Sequence, residues 1–179
     1  MRYLIFRKNL MEIKGSANSE PASIHTSYEF KTFTPHRLHL IPNGVNKSLT
    51  FILWAILYLA IWKRRGKDFE YYLVYDGEKL IHYSIVLPQY YRFPFMGNND
   101  IFVGPCWTAE EYRGKGIFPL VILMITDNYK FRKGYAYGMI TEDNIASQRS
   151  VIKAGMNIYG YGNRAKGFRG KFLLQEIAS

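Results

Sequence analysis

Apolar side chains recur with two different spacings in the second half of the chain. Residues 101 to 108 and 135 to 141 are short apolar runs of the length typical of strands. Residues 117 to 132 instead carry apolar side chains at helical spacing, and a run of capping residues at 142 to 147 opens a further helical segment. The pattern therefore predicts the order strand, helix, strand, helix between residues 101 and 156.

The first half of the chain is patterned less regularly. Residues 71 to 76 and 79 to 87 predict the two strands of a hairpin around Gly77. Residues 88 to 100 form a long aromatic connection, which either walls a substrate pocket or packs in the core. Residues 14 to 46 are rich in Ser, Thr, Pro, Asn and His and have little periodicity, so we expect an irregular segment there.

Residues 49 to 62 are an unbroken, nearly apolar run, flanked by Lys47 and by the basic residues 63 to 65. The run is shorter than the roughly 20 residues that a membrane-spanning helix needs. We expect a helix over 49 to 63 that packs on a sheet. The alternatives are an interfacial helix that contacts an anionic membrane through residues 49 to 65, and an oligomer interface.

The chain has 179 residues, of which 48% are hydrophobic, so it can form a single domain over residues 1 to 179 with a sizeable core. A single cysteine, Cys106, excludes an intrachain disulfide, and no secretory signal is evident. We therefore expect a cytoplasmic protein, with membrane association as the variant.

The formal net charge of +10 is compatible with several anionic partners, among them nucleic acid, lipid and phosphate groups. Nucleic acid is disfavoured, because the basic residues are spread along the chain and no RNA-binding consensus appears. His25, His36 and His39 lie in the irregular segment without the Cys or carboxylate spacing of a metal site, so we predict none.

Gly114 and Gly116 lie in a loop, residues 110 to 117, between a predicted strand and a predicted helix. Glycines so spaced let the backbone turn sharply with no side chains in the way. The following helix points its free N–H groups and the positive end of its dipole at the turn. Such a loop either holds an anion, most often a phosphate or pyrophosphate, or is a plain turn that begins a helix.

Two classes of phosphate loop are excluded by spacing. No Gly-Lys-Ser/Thr follows at the distance that a Walker loop needs. The dinucleotide fingerprint needs a third glycine where this chain has Pro119. It also needs a ribose-binding acid about 20 residues on, where the chain reads Lys133-Gly134-Tyr135.

The loop and the second helix together resemble the GCN5-related N-acetyltransferase superfamily, over roughly residues 70 to 162. The resemblance implies an α+β (α/β) fold with a mixed, mostly antiparallel central sheet of about six to seven strands. It also implies helices on both faces and strands that splay apart at the cofactor site. The matching residues are Glu111-Tyr112-Arg113-Gly114-Lys115-Gly116-Ile117 in the loop, and Asn144-x-x-Ser147 followed by Lys153-x-Gly155-Met156 at the second helix.

The same resemblance implies binding of acetyl-coenzyme A (acetyl-CoA) as a co-substrate, with residues 101 to 156 as the binding core. The strand before the loop would pair with the pantetheine arm as an exposed strand edge pairs with an added strand. The loop N–H groups would hold the pyrophosphate. The implied cofactor-binding residues are Cys106, Trp107, Thr108, Arg113, Gly114, Lys115, Gly116, Ile117, Phe118, Asn144 and Ser147.

Three positions depart from the family pattern. Glu111 stands where many members carry Gln or Arg, although backbone groups do much of that loop's work. Val151 stands where many members carry a tyrosine that protonates the departing thiolate, and Met156 replaces a phenylalanine. The usual general acid is therefore missing or supplied from elsewhere, with Tyr159 and Tyr161 as candidates.

Direct attack of an amine on a thioester requires that the amine lose a proton. His82 is the histidine on a predicted core strand and titrates in a useful range, so it is the candidate catalytic base, with a buried structural role as the alternative. Asp100 and Glu142 are further candidates, acting directly or through water. Cys106 has no partner pattern that would make it a nucleophile.

The sequence therefore predicts an acyltransferase. It is an N-acetyltransferase that moves an acetyl group from acetyl-CoA to a primary amine of a small molecule or amino sugar by direct attack, as a monomer or homodimer. The alternative is a non-catalytic or membrane-associated acyl-CoA-binding protein of the same fold, which Val151 and the apolar run at 49 to 62 motivate.

Overall fold

A computed structural model describes residues 2–11, 28–164 and 170–176, which form one sheet with helices on both faces. In chain order the elements are β1 (Arg2–Asn9), β2 (Tyr28–Phe33), α1 (Leu49–Leu57), β3 (Glu70–Asp76), β4 (Lys79–Pro88), β5 (Ile101–Thr108), α2 (Ile117–Asn128), β6 (Tyr135–Thr141), α3 (Ile145–Lys153), β7 (Asn157–Arg164) and β8 (Phe172–Glu176).

The described residues form eight strands of one sheet, in the order β2-β3-β4-β5-β6-β1-β7-β8. Among these eight strands, only β5 and β6 are parallel neighbours, and every other adjacent pair is antiparallel. The mixed, mostly antiparallel sheet that the sequence predicts is confirmed, although six to seven strands is slightly too few. The N-terminal strand β1 lies inside the sheet, between β6 and β7, where Ile5 and Phe6 are both buried.

The prediction of an irregular segment at residues 14 to 46 is wrong for residues 28 to 33, which form the edge strand β2. Tyr28 and Phe30 are partly buried while Glu29 and Lys31, which alternate with them, are exposed, as the period of a strand requires. The alternation covers only residues 28 to 31 of this six-residue strand, so the polar composition around it hides it. Residues up to 27 lie outside the described part of the chain.

Alternation along β3 places two cores on the two faces of the sheet. Tyr71 and Leu73 pack with the helix α1, whereas Tyr72 and Val74 belong to the cluster that contains Val121 of α2. The prediction of helices on both faces is therefore confirmed.

The apolar run at residues 49 to 63 is helical, but the α-helix ends at Leu57. It continues as a π-helical turn over Tyr58–Trp62 and a 3-10 turn over Lys63–Arg65. The side chain of Ser48 caps the start by accepting a hydrogen bond from the N–H of Phe51 (3.3 Å). One face packs on the sheet through the buried residues Phe51, Ala55, Tyr58 and Trp62.

The helix predicted over residues 117 to 132 ends earlier, at Asn128, and a 3-10 turn over Lys130–Arg132 follows. The left-handed residue after that turn is Lys133 (φ 54°) rather than Gly134. Gly134 serves a different purpose, because a Cβ at this position would lie 2.5 Å from the carbonyl oxygen of Asn99. Glycine here lets the chain enter β6 against the loop that leads into β5.

Candidate active site

The sheet opens between β5 and β6. These parallel strands are paired only at Ile101–Ala136 and Phe102–Tyr137, and beyond these pairs they separate. A cleft of about 900 Å³ lies at the opening. Its lining includes Phe102 from the core on the α1 face and Ile117 and Val151 from the cores on the opposite face, so the cleft passes through the sheet. The splayed strands that the sequence resemblance implies are present.

The glycine loop lies at one end of this cleft. Gly114 (φ 77°) and Gly116 (φ 79°) are left-handed, and no atom of the described residues lies within 4 Å of a Cβ placed on either residue. The backbone N–H groups of residues 114 to 118 have no acceptor within the described ranges. These donors stand at the start of α2, where the helix dipole adds partial positive charge, so the loop has the groups that an anion site needs.

Glu111 does not oppose an anion at this loop. Its carboxylate forms an ion pair with Lys79 at the start of β4, which lowers the pKa of the carboxyl group and balances its charge. Tyr112 anchors the same turn by donating a hydrogen bond to Asp76 (2.8 Å). Glu111, the residue that departs from the family pattern, therefore joins the loop to the β3–β4 hairpin.

The start of α3 lines the cleft beside the loop. Asn144 is the N-cap, and its Oδ1 accepts a hydrogen bond from the N–H of Ser147 (3.1 Å). Since the side-chain oxygen faces the helix, the amide NH2 group of Asn144 remains a donor for a ligand. Both Asn144 and Ser147 line the cleft.

Ten of the eleven residues predicted to bind a cofactor line this cleft. The eleventh, Lys115, holds its ammonium group 4.6 Å from the centre of the Tyr112 ring.

Burial raises the pKa of the Cys106 thiol to about 11, so the group stays protonated at neutral pH and is a poor nucleophile. Trp107 is stacked on Tyr83 with ring centres 5.8 Å apart.

His82 lies beneath the cleft rather than in it. The side chain is fully buried, with Nδ1 2.7 Å from Oγ1 of Thr108 and Nε2 2.8 Å from Oγ of Ser84. Burial lowers the pKa of the imidazole to about 3, so it is neutral at physiological pH. Both ring nitrogens are occupied and His82 does not line the cleft, so the geometry does not fit direct proton transfer from a substrate and fits the structural alternative.

We expect His82 to make the protein less stable as the pH falls below about 6.5, its ordinary pKa. Between that value and the folded-state pKa of about 3, the unfolded chain binds a proton that the folded chain does not. The free energy of unfolding should then fall by up to about 1.4 kcal/mol per pH unit. Urea denaturation at mildly acidic and neutral pH should show a shallower decline for His82→Gln than for the wild type. Parallel declines would contradict a buried, neutral histidine.

The other predicted acids and bases also lie outside the cleft. The carboxylate of Asp100 is buried and accepts hydrogen bonds from the N–H groups of Gly97 (2.7 Å) and Tyr135 (2.8 Å), so it holds the entry to β6. Glu142 pairs with Arg2 at 3.4 Å. The rings of Tyr159 and Tyr161 lie under the guanidinium groups of Arg7 and Arg2, respectively. Among the described residues, no carboxylate or histidine lines the cleft.

The part of the cleft on the α1 face is the feature that the sequence motifs do not predict. We call it the aromatic chamber. Of its lining, the sequence indicated only the residues of the 88 to 100 connection, as a candidate wall of a substrate pocket. Its lining residues are Tyr3, Trp54, Tyr90, Phe93, Phe102 and Phe172, together with Arg92.

His36 and His39 form an isolated bridge, and Phe33 packs against both rings. His25 lies outside the described ranges. Within those ranges, no group of three or more His, Cys, Asp or Glu side chains has the arrangement of a metal site. In the same ranges, no helix has the length and hydropathy to cross a membrane.

No protein-family model matches the chain, and no curated protein matches it. Among solved structures, it is similar to a GNAT-family acetyltransferase from Colwellia psychrerythraea (TM-score 0.54, 16% identity, covering 88% of this chain and 52% of that one). A tandem GNAT protein from the clavulanic acid biosynthesis pathway is also similar (TM-score 0.56, 14% identity, 88% and 50%). So is a GCN5-related N-acetyltransferase from Sphaerobacter thermophilus (TM-score 0.53, 10% identity, 89% and 49%).

This chain spans about half the length of those three proteins. At such low identity the likeness concerns the arrangement of the backbone, which here includes the splayed strands and the glycine loop. The chain has the GCN5-related N-acetyltransferase fold.

Proposed function

We propose that the chain is an N-acetyltransferase that moves an acetyl group from acetyl-CoA to a primary amine of a small molecule, in the cytoplasm. The observation that carries this proposal is the coincidence of an open strand edge with a loop of unpaired N–H groups at one cleft. A strand edge suits an extended ligand that carries amides, and the loop suits its pyrophosphate.

The binding roles follow from the contacts of each group. The N–H groups of residues 114 to 118 would hold the pyrophosphate, and the edge of β5 beyond Phe102 would hold the pantetheine arm. The free amide NH2 of Asn144 would donate to the same arm. The formal net charge of the chain, +10, attracts an anionic co-substrate at long range.

The thioester supplies the acetyl group. The acceptor nitrogen forms a bond to the acetyl carbon, the carbon–sulfur bond breaks, and the proton that the nitrogen loses balances the proton that the sulfur gains. Because no carboxylate or histidine of the described chain lines the cleft, we propose that the acceptor binds as the free amine. The rate should then rise with pH until that amine is deprotonated, without a step near the pKa of an ordinary histidine.

Release of free thiol from acetyl-CoA in the presence of an amine panel tests the proposal, with the acetylated amine identified by mass spectrometry. Amine-dependent thiol release with a matching product supports acetyl transfer. Binding of acetyl-CoA without any amine-dependent release would instead favour a non-catalytic binding protein.

A second proposal concerns the outer face of α1, where Leu49, Leu53 and Ile56 are 72%, 55% and 49% exposed. We call these three residues the apolar ridge. The exposed cations Lys63, Arg64 and Arg65 follow at the end of the same helical segment. An exposed apolar row next to a basic cluster fits peripheral contact with an anionic membrane.

The double variant Leu53→Gln, Ile56→Gln should weaken binding to vesicles that contain phosphatidylserine by about 30-fold in a co-sedimentation assay, since each side chain loses roughly 1 kcal/mol of apolar burial. Leu123→Gln is the matched control, because Leu123 is an exposed leucine (44%) on α2, on the opposite face of the sheet. If the wild type does not sediment with vesicles, or if the control loses binding equally, the membrane proposal fails.

A further inference from the structure

The aromatic chamber is an apolar slot with walls of fixed geometry. Phe93 stacks on Phe102 with ring centres 4.1 Å apart, and on Phe172 with centres 5.7 Å apart. Tyr3 meets Phe172 edge to face at 5.5 Å. Because the rings hold one another in place, they form a flat, rigid wall. A flat apolar ligand can stack on this wall, and the side chains lose little conformational entropy when it does.

Arg92 is the charged group of this chamber. Its main-chain carbonyl accepts a hydrogen bond from the N–H of Phe172 (2.9 Å), which fixes the backbone beside the chamber. Its side chain hydrogen-bonds to Tyr90, but its Nε is buried without a partner among the described residues. Leaving a buried donor of a charged group unsatisfied is costly, so the position suits a ligand that accepts from it.

A second guanidinium lies close to Arg92. Terminal nitrogens of both Arg92 and Arg164 lie within 3.4 Å of the point where a Cβ on Gly170 would sit. Neither arginine forms an ion pair with an acidic side chain of the described chain. Two like charges so close together repel each other, and an oxyanion with bidentate geometry relieves this repulsion.

The chamber is poorly suited to other acceptors. A sugar needs acceptors and amides for its hydroxyl groups, and a polyamine or basic peptide needs carboxylates. Within the described structure, the chamber is lined by aromatic and apolar side chains with tyrosine hydroxyls, the indole of Trp54 and Arg92 as its polar groups. Its charge is positive, so cationic acceptors are repelled.

We infer that the acceptor is a primary amine that also carries an aromatic ring and a carboxylate, with its ring in the aromatic chamber and its carboxylate at Arg92. This inference rests on the acetyl transfer proposed above and narrows its substrate class. It replaces the amino sugar as the preferred acceptor.

The test compares kcat/KM for matched amines. Phenylalanine and para-aminomethylbenzoate carry a ring and a carboxylate in two relative positions, phenethylamine and benzylamine lack the carboxylate, and alanine and glucosamine lack the ring. We call phenylalanine and para-aminomethylbenzoate the aromatic carboxylates. For at least one of them, kcat/KM should be about tenfold or more higher than for its decarboxylated partner, for alanine and for glucosamine, because charge-assisted hydrogen bonds are worth roughly 1.5–3 kcal/mol.

Arg92→Gln should lower kcat/KM for the aromatic carboxylates by about 10- to 100-fold and leave the decarboxylated amines within about twofold. Arg37→Gln is the charge-matched control, because Arg37 is exposed and lies outside the cleft. Calorimetric titration with the product N-acetylphenylalanine or acetylated para-aminomethylbenzoate, without cofactor, gives a readout that does not need turnover. The wild type should bind the product of the preferred amine, and Arg92→Gln should bind it about tenfold more weakly.

Two kinds of failure are distinguishable. If acetyl-CoA binds and amino sugars or decarboxylated amines are acetylated as well as the aromatic carboxylates, the acceptor inference is overturned and the proposed function stands. Equal product binding by the wild type and Arg92→Gln, or none by either, also overturns the inference. If acetyl-CoA does not bind, the proposed function itself is overturned.

Discussion

Gly114→Asp is expected to weaken binding of acetyl-CoA by about 100-fold or more. An aspartate at this position would place a carboxylate beside the N–H groups that we assign to the pyrophosphate. It would also force a side chain onto a left-handed residue (φ 77°), which costs roughly 1–2 kcal/mol. The loss of charge-assisted hydrogen bonds adds roughly 1.5–3 kcal/mol, and each 1.4 kcal/mol is about tenfold in affinity.

Gly66→Asp separates the local effect from the general ones. Gly66 is also left-handed (φ 63°), and a Cβ there also meets nothing within 4 Å. It follows the 3-10 turn after α1 and does not line the cleft, so the same change of charge and backbone strain occurs away from the loop. Calorimetric titration should give near wild-type affinity for Gly66→Asp. Unchanged affinity in Gly114→Asp would remove the assignment of the loop.

Gly134→Ala is expected to lower the stability of the protein by about 2–3 kcal/mol, the upper part of the roughly 1–3 kcal/mol range for overpacking a buried site. The added methyl group would lie 2.5 Å from the carbonyl oxygen of Asn99 and 2.9 Å from Oδ1 of Asp100, so the backbone itself must move. This contact is next to the two residue pairs that join β5 and β6. The variant should therefore also weaken cofactor binding, because it shifts the closed end of the cleft.

Gly97→Ala is the matched control for that variant. It makes the same chemical change in the loop that leads into β5, against which Gly134 packs, but among the described residues a Cβ there meets only Asp100, at ordinary contact distance (3.5 Å). In thermal denaturation, the Tm of Gly134→Ala should be about 5–10 °C below that of the wild type. The Tm of Gly97→Ala should lie within about 2 °C of the wild-type value. Equal melting temperatures for the two variants would show that the strands are not held together at this point.

The part of the cleft that we assign to acetyl-CoA could be located from the sequence because its signals are local. The loop at residues 110 to 117 needs glycines for its left-handed turns, and Asn144 is a helix cap, so physical demands within a few residues leave a visible pattern. The strand and helix that flank the loop follow from apolar spacing alone. Ten of the eleven predicted cofactor-binding residues accordingly line one cleft.

The aromatic chamber could not be predicted in the same way, because Tyr3, Trp54, Arg92 and Phe172 come from four distant segments. None of these residues belongs to a motif in its own segment. Their meeting depends on β1 lying between β6 and β7, which no local pattern indicates.

The buried position of the candidate base has a similar explanation. His82 is on a strand next to the cofactor strand, as the hairpin predicts, but the direction of its side chain depends on the register of β4 against β5. In the structure that register points the imidazole at Thr108 and Ser84, inside the core.

The measurement that tests the account most directly is calorimetric titration of the purified protein with acetyl-CoA, coenzyme A and NADH. We predict binding of the first two at one site per chain and no binding of NADH, because the loop lacks the dinucleotide fingerprint while the open strand edge suits the pantetheine arm. Absence of acetyl-CoA binding, or equally tight binding of NADH, would contradict the account.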